Sequence, residues 1–214
     1  MTRHPATDRD PALTRTAFEN AGACFAELVA DIAPDQWATP ALGAWDVRSL
    51  VGHTNRALTT LTRYLDEPEA QEVCTSPGQY YALSARATTP QEVEARGVAA
   101  GQDLGDDPAA AVRTALERAR AALARFPVPE DPVIRTVVGG MRLNAYLPTR
   151  TFELAVHGLD LCSACGLEIR PPDHVLADAT RTAMEIAHES GRVPDVLLAL
   201  TGRRPLPAGF SVLP

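Results

Sequence analysis

The stretch TRTFELAVHGLDL, at residues 149–161, places a glutamate and a histidine inside an otherwise apolar run. Glu153 and His157 are four positions apart, so a helix projects both side chains from the same face, one turn apart. A helix face that packs into a core normally carries Leu and Val, and buried polar groups need partners. The stretch therefore predicts a packed helix whose inner face carries either a self-satisfied polar pair or a binding site.

Helical spacing of apolar residues recurs through most of the remaining chain. A first helix is predicted from Pro11 with Asp10 as its N-cap, and a second from Val47 with Asp46 as its N-cap. Two further helical segments follow residue 90 and are separated by the tripeptide GDD. A last long helix is predicted to end at Gly191, and one short helical stretch follows it.

The segments between these helices are interpreted as loops or short strands. Residues 67–89, which include SPGQYY, predict a connection that contains one helical turn. Weak alternation around Gly139 predicts a small hairpin. The helix with the Glu–His pair is predicted to begin at Pro148 or Thr149 and to end at Gly166.

Four or five substantial helices with little strand, no repeats and no low-complexity linker indicate an all-α fold. An antiparallel helix bundle is the most economical architecture for such elements. The 214 residues, 45% of them hydrophobic, are enough for one generous domain or two small ones.

Composition excludes several classes of function. The formal charge of −7 and the 5% aromatic content argue against a nucleic-acid partner, which needs a basic surface or stacking platforms. No apolar run reaches membrane-spanning length and the N-terminus lacks a signal peptide, so a cytoplasmic protein without a membrane partner is expected. All 20 basic residues are arginine, which excludes Schiff-base catalysis and a Walker-type phosphate loop.

The four cysteines are predicted to be reduced thiols. A cytoplasmic location keeps thiols reduced, so Cys24, Cys74, Cys162 and Cys165 are not expected to form a disulfide framework. The CSAC sequence at residues 162–165 has the spacing of a metal or redox motif, but no second cysteine pair completes a tetrahedral site. Buried small hydrophobes are the better interpretation of these thiols.

A third candidate ligand comes from the second helix. In WDVRSLVGHTNRAL, at residues 45–58, His53 follows the apolar residues Leu50 and Val51 and is expected to point into the bundle. Together with Glu153 and His157 it supplies two imidazoles and one carboxylate, the ligand set of many catalytic zinc sites that keep an open position. The alternative is a Glu–His hydrogen bond in the core with no metal.

Two motifs of this chain resemble those of a known family. WDVRSLVGH resembles the W-S/T-V-R-x-L-V-x-H segment, and RTFELAVHGLDLCSACG the R-x2-E-x2-V-H-G-x-D segment, of the DinB-like, mycothiol-dependent maleylpyruvate isomerases. The two motifs are about a hundred residues apart and in the family's order. The resemblance implies a single DinB-like domain over residues 1–214, a four-helix bundle with a small hairpin and an extra C-terminal helix.

The resemblance also implies a divalent metal, usually zinc, held by His53, Glu153 and His157. Asp160 matches the family's aspartate, and it is expected either to orient an imidazole or to pair with an arginine such as Arg150. Asp46 stands where the family usually has Ser or Thr, which exchanges one N-cap for another.

The founding isomerase has a second domain that helps to close its active site and contributes an arginine. This chain ends soon after the bundle, so maleylpyruvate itself is in doubt as a substrate. A loop, the hairpin near Gly139 or a second subunit in a homodimer is expected to complete the site.

The implied chemistry is thiol addition. A free thiol has a pKa of about 8.5, and a bound cation favours its thiolate at neutral pH. Zinc-bound thiolate of a mycothiol-type co-substrate is expected to attack a small electrophile, giving S-transfer or cis–trans isomerisation.

Arg56, on the His53 face, is the candidate for holding a substrate carboxylate. The rival hypotheses are a hydrolase that activates water with the same ligands and a metal-binding bundle without turnover.

Overall fold

A computed structural model describes residues 9–168 and 170–213 of the chain. Eight helices dominate these residues, which confirms the all-α prediction. In chain order they are α1 (Pro11–Ala30), α2 (Val47–Leu65), α3 (Pro77–Ala87), α4 (Pro90–Gln102), α5 (Pro108–Ala124), α6 (Leu143–Cys165), α7 (Asp173–Glu189) and α8 (Val193–Leu200). None of the described helices combines the length and the apolar character needed to cross a bilayer.

Four of the helices pack in a ring. α1 contacts α5 and α6, and α2 contacts the same two helices, so α1, α2, α5 and α6 enclose a common core. Phe18, Phe25, Leu50, Leu58 and Tyr146 are almost completely buried in it. α4 packs on α2, while α7 packs on α1 and α6 and is covered in turn by α3. This arrangement confirms the predicted DinB-like helical bundle.

The predicted N-caps are present at the helix starts. The Asp10 carboxylate accepts the backbone N–H groups of Ala12 and Leu13, and Asp46 accepts that of Ser49 at 2.8 Å. Capping satisfies N–H groups that have no partner inside the helix. The cap at Asp46 fixes the start of α2, and thereby the direction in which His53 points two turns later.

The prediction for residues 67–89 was wrong, because this segment contains a full helix. α3 has Pro77 in its first turn and Ser76 as N-cap, whose hydroxyl accepts the Gln79 N–H. The segment has no long apolar pattern of its own. It is helical because Tyr80 and Tyr81 are buried against the rest of the fold, a tertiary effect that local spacing does not show.

The predicted start of the site helix was also wrong. α6 begins at Leu143, so Pro148 lies inside the helix. The Leu143 N–H binds the carbonyl of Pro132, and the Asn144 N–H binds the Asp131 carboxylate. The preceding hairpin therefore satisfies the first helical N–H groups five residues earlier than the proline suggested. The predicted end at Gly166 is confirmed by its left-handed backbone, with φ +65°.

Five short strands accompany the helices. β1 (Pro40–Leu42) and β2 (Trp45–Asp46) form an antiparallel pair in front of α2. β4 (Val133–Thr136) and β5 (Gly139–Arg142) form the predicted hairpin, and β3 (Glu72–Cys74) joins β5 in parallel.

Val137 and Val138 connect the two strands of the predicted hairpin, and Gly139 and Gly140 both belong to β5. A Cβ at Gly140 would lie 1.9 Å from the carbonyl oxygen of Gln71. Glycine is required there because the neighbouring strand approaches so closely.

Candidate metal centre

The three candidate ligands lie together in the fold. His53 comes from α2, and Glu153 and His157 come from α6. Glu153 Oε2 is 3.6 Å from His53 Nε2 and 3.3 Å from His157 Nε2. One ligand atom from each residue lies within 4.8 Å of the others, which makes this a group that could hold a metal ion. The two helices thus bring together residues a hundred positions apart in sequence.

The spacing of these atoms fits a tetrahedral divalent ion. Zinc bonds to imidazole nitrogen and carboxylate oxygen are about 2.0–2.1 Å long, which separates neighbouring tetrahedral ligands by about 3.3 Å. A self-satisfied core pair fits less well, because the buried Nδ1 of His53 has no hydrogen-bond partner among the described residues. The donor set and its spacing therefore suit zinc or a similar cation.

Tyr81 of α3 positions the Glu153 carboxylate. Its hydroxyl donates to Glu153 Oε1 at 2.7 Å and also lies 3.2 Å from the Thr149 carbonyl oxygen. Burial and the Glu153 charge raise the pKa of Tyr81 well above its usual value, so the phenol keeps its proton. Because Tyr81 occupies Oε1, the other carboxylate oxygen remains directed at the two imidazoles.

Tyr81 was missed in the sequence because α3 was interpreted as a connection. The local signal for a helix was Ser76 followed by Pro77, an N-cap and a first-turn proline in the sequence TSPGQYY. Nothing local indicates which of the two tyrosines faces the site.

Asp160 orients the second imidazole. Its Oδ2 lies 3.0 Å from His157 Nδ1, which leaves Nε2 of that ring directed at Glu153. Of the two arrangements expected for Asp160, the contact with an imidazole is the one observed. Arg150 lies elsewhere, with its guanidinium 4.8 Å from the ring centre of Tyr146. A carboxylate on the far nitrogen is a common way to fix the ring of a metal-binding histidine.

The three residues have sharply different proton affinities in the metal-free site. Burial alone would raise the pKa of Glu153, but hydrogen bonds from His157 and His53 outweigh it and hold the pKa well below its usual value. Burial opposes protonation of His157, yet Asp160 and Glu153 together raise its pKa to about 9. Burial lowers the pKa of His53 despite the nearby Glu153. At pH 7 these shifts favour a neutral His53, a charged Glu153 and a protonated His157.

Metal binding at pH 7 is expected to release close to one proton from His157. Its pKa of about 9 keeps the imidazole charged at pH 7, whereas a metal ligand must be neutral. Affinity should therefore increase with pH up to about 9 and level off above it. Calorimetric zinc titrations in buffers of different ionisation enthalpy measure the released protons, and Asp160→Asn should reduce their number. Binding without proton release at pH 7 would contradict this assignment.

A pocket of about 640 Å³ opens in front of the three residues. Its lining includes Trp45, whose ring centre is 4.5 Å from that of His53, and the half-buried Arg56, one turn further along α2. Val137 of the hairpin turn and Leu213 of the C-terminal segment line it as well. The hairpin, one of the three elements named as candidates for completing the site, thus lines the pocket. Arg56 lies in the pocket with the candidate ligands, and its contact with a substrate stays a prediction.

The cysteines take no part in this centre. None of the four forms a disulfide in the described residues, and Cys74 and Cys165 are buried. In the described residues, the group able to hold a metal consists of His53, Glu153 and His157 and includes no cysteine.

The model of one protein family matches residues 18–162, about two thirds of the chain. Its description is "Mycothiol maleylpyruvate isomerase N-terminal domain". The chain belongs to this family. The match runs from α1 to the end of α6 and contains all three candidate ligands and Asp160. Neither the curated proteins nor the solved structures contain a match to the chain.

Membership in the mycothiol maleylpyruvate isomerase family confirms the resemblance found in the two sequence motifs. It indicates an enzyme associated with mycothiol. The shared helical bundle also explains why the ligand pair on α6 meets His53 on α2.

Proposed function

We propose that this chain is a divalent-metal-dependent enzyme, most simply a zinc enzyme, that uses a mycothiol-type thiol to attack a small electrophile. The observation that carries the proposal is the convergence of His53, Glu153 and His157 at the wall of a 640 Å³ pocket. The family's association with mycothiol supports the choice of a thiol over water as the nucleophile.

The three side chains would hold the metal, whose charge favours the deprotonated form of a thiol at neutral pH. Tyr81 and Asp160 keep the carboxylate of Glu153 and the ring of His157 in place. Preorganised ligands reduce the reorganisation needed when the metal and the thiol bind. The apolar ring of Trp45 shields the His53 side of the pocket from water.

The pocket arginines stabilise the charge that develops on the substrate. The thiol sulfur forms a C–S bond with one carbon of an electron-poor double bond, and the displaced electron pair moves toward the electron-withdrawing group. Rotation and expulsion of the thiol restore the double bond and give cis–trans isomerisation. Protonation of the carbon by water instead leaves the sulfur on the substrate and completes S-transfer. On an aryl halide the sulfur replaces the halogen, which leaves as halide. Arg56 and Arg150 both line the pocket and are placed to offset this negative charge.

Turnover that needs both metal and thiol is the expected result. The full chain is assayed with zinc and mycothiol, using a cis-enoate and an activated aryl halide as electrophile probes. Omitting the thiol, removing the metal with a chelator or introducing Glu153→Gln should each abolish product formation. His174→Ala changes an exposed histidine of α7 outside the pocket and should leave the rate unchanged.

The same assay separates the rival functions. Ester or amide hydrolysis that proceeds equally without thiol would establish the hydrolase instead. Stoichiometric zinc binding without any turnover, with His53→Ala chiefly lowering the melting temperature, would establish a metal-binding bundle without catalysis.

A further inference from the structure

The pocket beside the candidate metal centre carries an excess of positive charge. Four arginines from three helices line it, together with a single acid. These residues are Arg56 and Arg63 of α2, Arg96 of α4, Arg150 of α6 and the acid Glu153. The carboxylate of Glu153 already contacts His53, His157 and Tyr81, so its hydrogen-bond partners are residues other than the arginines.

Three of the arginines have no carboxylate within 4.0 Å in the described part of the chain, namely Arg56, Arg96 and Arg150, whereas Arg63 lies 3.9 Å from Glu67. Arg150 is buried against the ring of Tyr146 and its charge interacts with that of Glu153, which leaves Arg56 and Arg96 as the unpaired guanidinium groups. Glu92, on the exposed first turn of α4, is the acid whose charge interacts with Arg96 over a longer distance. Burial and then the charge of Arg96 lower the pKa of Arg56. An anion between these two guanidinium groups would relieve the repulsion and form charge-assisted hydrogen bonds.

A second concavity adjoins the pocket. This apolar groove has a volume of about 560 Å³ and is walled by β1, β2 and the facing ends of α3 and α4. Its apolar lining consists of Leu42, Ala44, Trp45, Ala85, Pro90 and Val93, and Thr88, Thr89 and the exposed Glu94 complete it. Trp45, Ala85, Thr88 and Val93 line both the pocket and the groove, so the two adjoin at these residues.

The positions of Arg56 and Arg96 on their helices show where a bound anion would lie relative to the groove and the candidate metal centre. Arg96 lies three residues after Val93 on α4, so the two project from the same side of the helix. Arg56 lies three residues after His53 on α2, on the side of the candidate metal centre. Because Val93 and Trp45 line the same pocket, a ligand that places its anion at Arg56 and Arg96 can direct its other end toward them.

We infer that the electrophile carries a carboxylate at one end and an apolar alkyl or aryl body at the other. Arg56 and Arg96 bind the carboxylate, while Trp45, Val93 and Leu42 enclose the body. Planar guanidinium groups match a carboxylate in geometry, and apolar walls favour a body longer than that of a small dicarboxylate. This inference rests on the proposed function because it names the substrate class of the same site.

Binding of unreactive carboxylates tests the inference without thiol or turnover. The full chain, as purified, is titrated calorimetrically with butanoate, hexanoate and octanoate, and with succinate and octanol as comparisons. Affinity should increase by roughly four-fold for each methylene that enters the groove. Octanoate should bind more tightly than both succinate and octanol, because only octanoate offers one anion and one apolar chain.

Paired variants test which residues contact the carboxylate and which contact the apolar chain of the ligand. Val93→Asn should weaken octanoate but not butanoate, whereas Arg56→Met should weaken both acids. Val98→Asn on α4 and Arg118→Met on α5 alter exposed residues outside the pocket and groove and should change neither.

Three results would overturn the inference. These are succinate binding more tightly than octanoate, octanol binding as tightly as octanoate, and affinities that do not depend on chain length. Any of these results, if found together with thiol- and metal-dependent turnover, would contradict the inferred substrate class but would still support the proposed function. Conversely, the predicted chain-length dependence without turnover would support the ligand class and overturn the enzyme.

Discussion

Glu153→Gln should abolish tight zinc binding while leaving the fold intact. The substitution keeps the shape of the side chain but removes the negative charge at the atom shared by His53 and His157. Losing a residue that merely orients a ligand costs about 10- to 100-fold in metal affinity. Losing the only carboxylate of the three-residue group should cost more than that. Competition with a chromophoric chelator measures the affinities, and circular dichroism verifies the fold.

Tyr81→Phe should lower the zinc affinity by a smaller factor than Glu153→Gln does. The phenyl ring keeps the packing of α3, and only the hydrogen bond to Glu153 Oε1 is lost. Zinc affinity should therefore decrease by about 10- to 100-fold, which is less than for Glu153→Gln. Equal zinc affinity in the wild type and in Glu153→Gln would contradict the placement of the metal.

Gly52→Ala should destabilise the protein strongly, although the change adds a single methyl group. The new Cβ would lie 2.2 Å from the backbone nitrogen of Gly101 on α4. Two helix backbones meet there, so neither can move aside as a flexible side chain would. Overpacking of this kind costs about 1–3 kcal/mol, and in a chain of this size 1 kcal/mol shifts the melting temperature by about 2–4 °C. Because His53 is the next residue, zinc affinity should decrease as well.

Gly158→Ala is the matched control, since it also adds a methyl group to a helical glycine next to a candidate ligand. At Gly158 the nearest atom to the added Cβ is the Leu28 Cδ2, at 4.0 Å, an ordinary contact. Helix propensity favours Ala over Gly, so this variant should be as stable as the wild type or slightly more stable. Thermal unfolding of both variants checks the pair, and an unchanged melting temperature for Gly52→Ala would contradict the close crossing of α2 and α4.

The three candidate ligands could be predicted from the sequence because local rules fix their directions. The i, i+4 spacing places Glu153 and His157 on one helix face, and the Asp46 cap sets the start of the helix that carries His53. The apolar residues around them then determine which face turns inward. Two short motifs therefore contained most of what is needed to bring the three side chains together.

The parts that escaped prediction depend on tertiary contacts. α3 is short and is stabilised by the burial of Tyr80 and Tyr81, so its sequence resembles a loop. α6 continues through Pro148 because the preceding hairpin supplies partners for its first turn. The hydrogen bond from Tyr81 to Glu153 joins two segments about seventy residues apart, and no local spacing indicates it.

Metal content per chain is the most direct test of the central claim. The protein is purified without chelator and without a nickel resin, and elemental analysis gives the number of zinc and other divalent ions bound. We expect about one equivalent of zinc in the wild type and in His174→Ala, and much less in Glu153→Gln. Protein that contains no metal and takes up no added zinc would contradict the claim, and would leave His53, Glu153 and His157 as a polar cluster in the core.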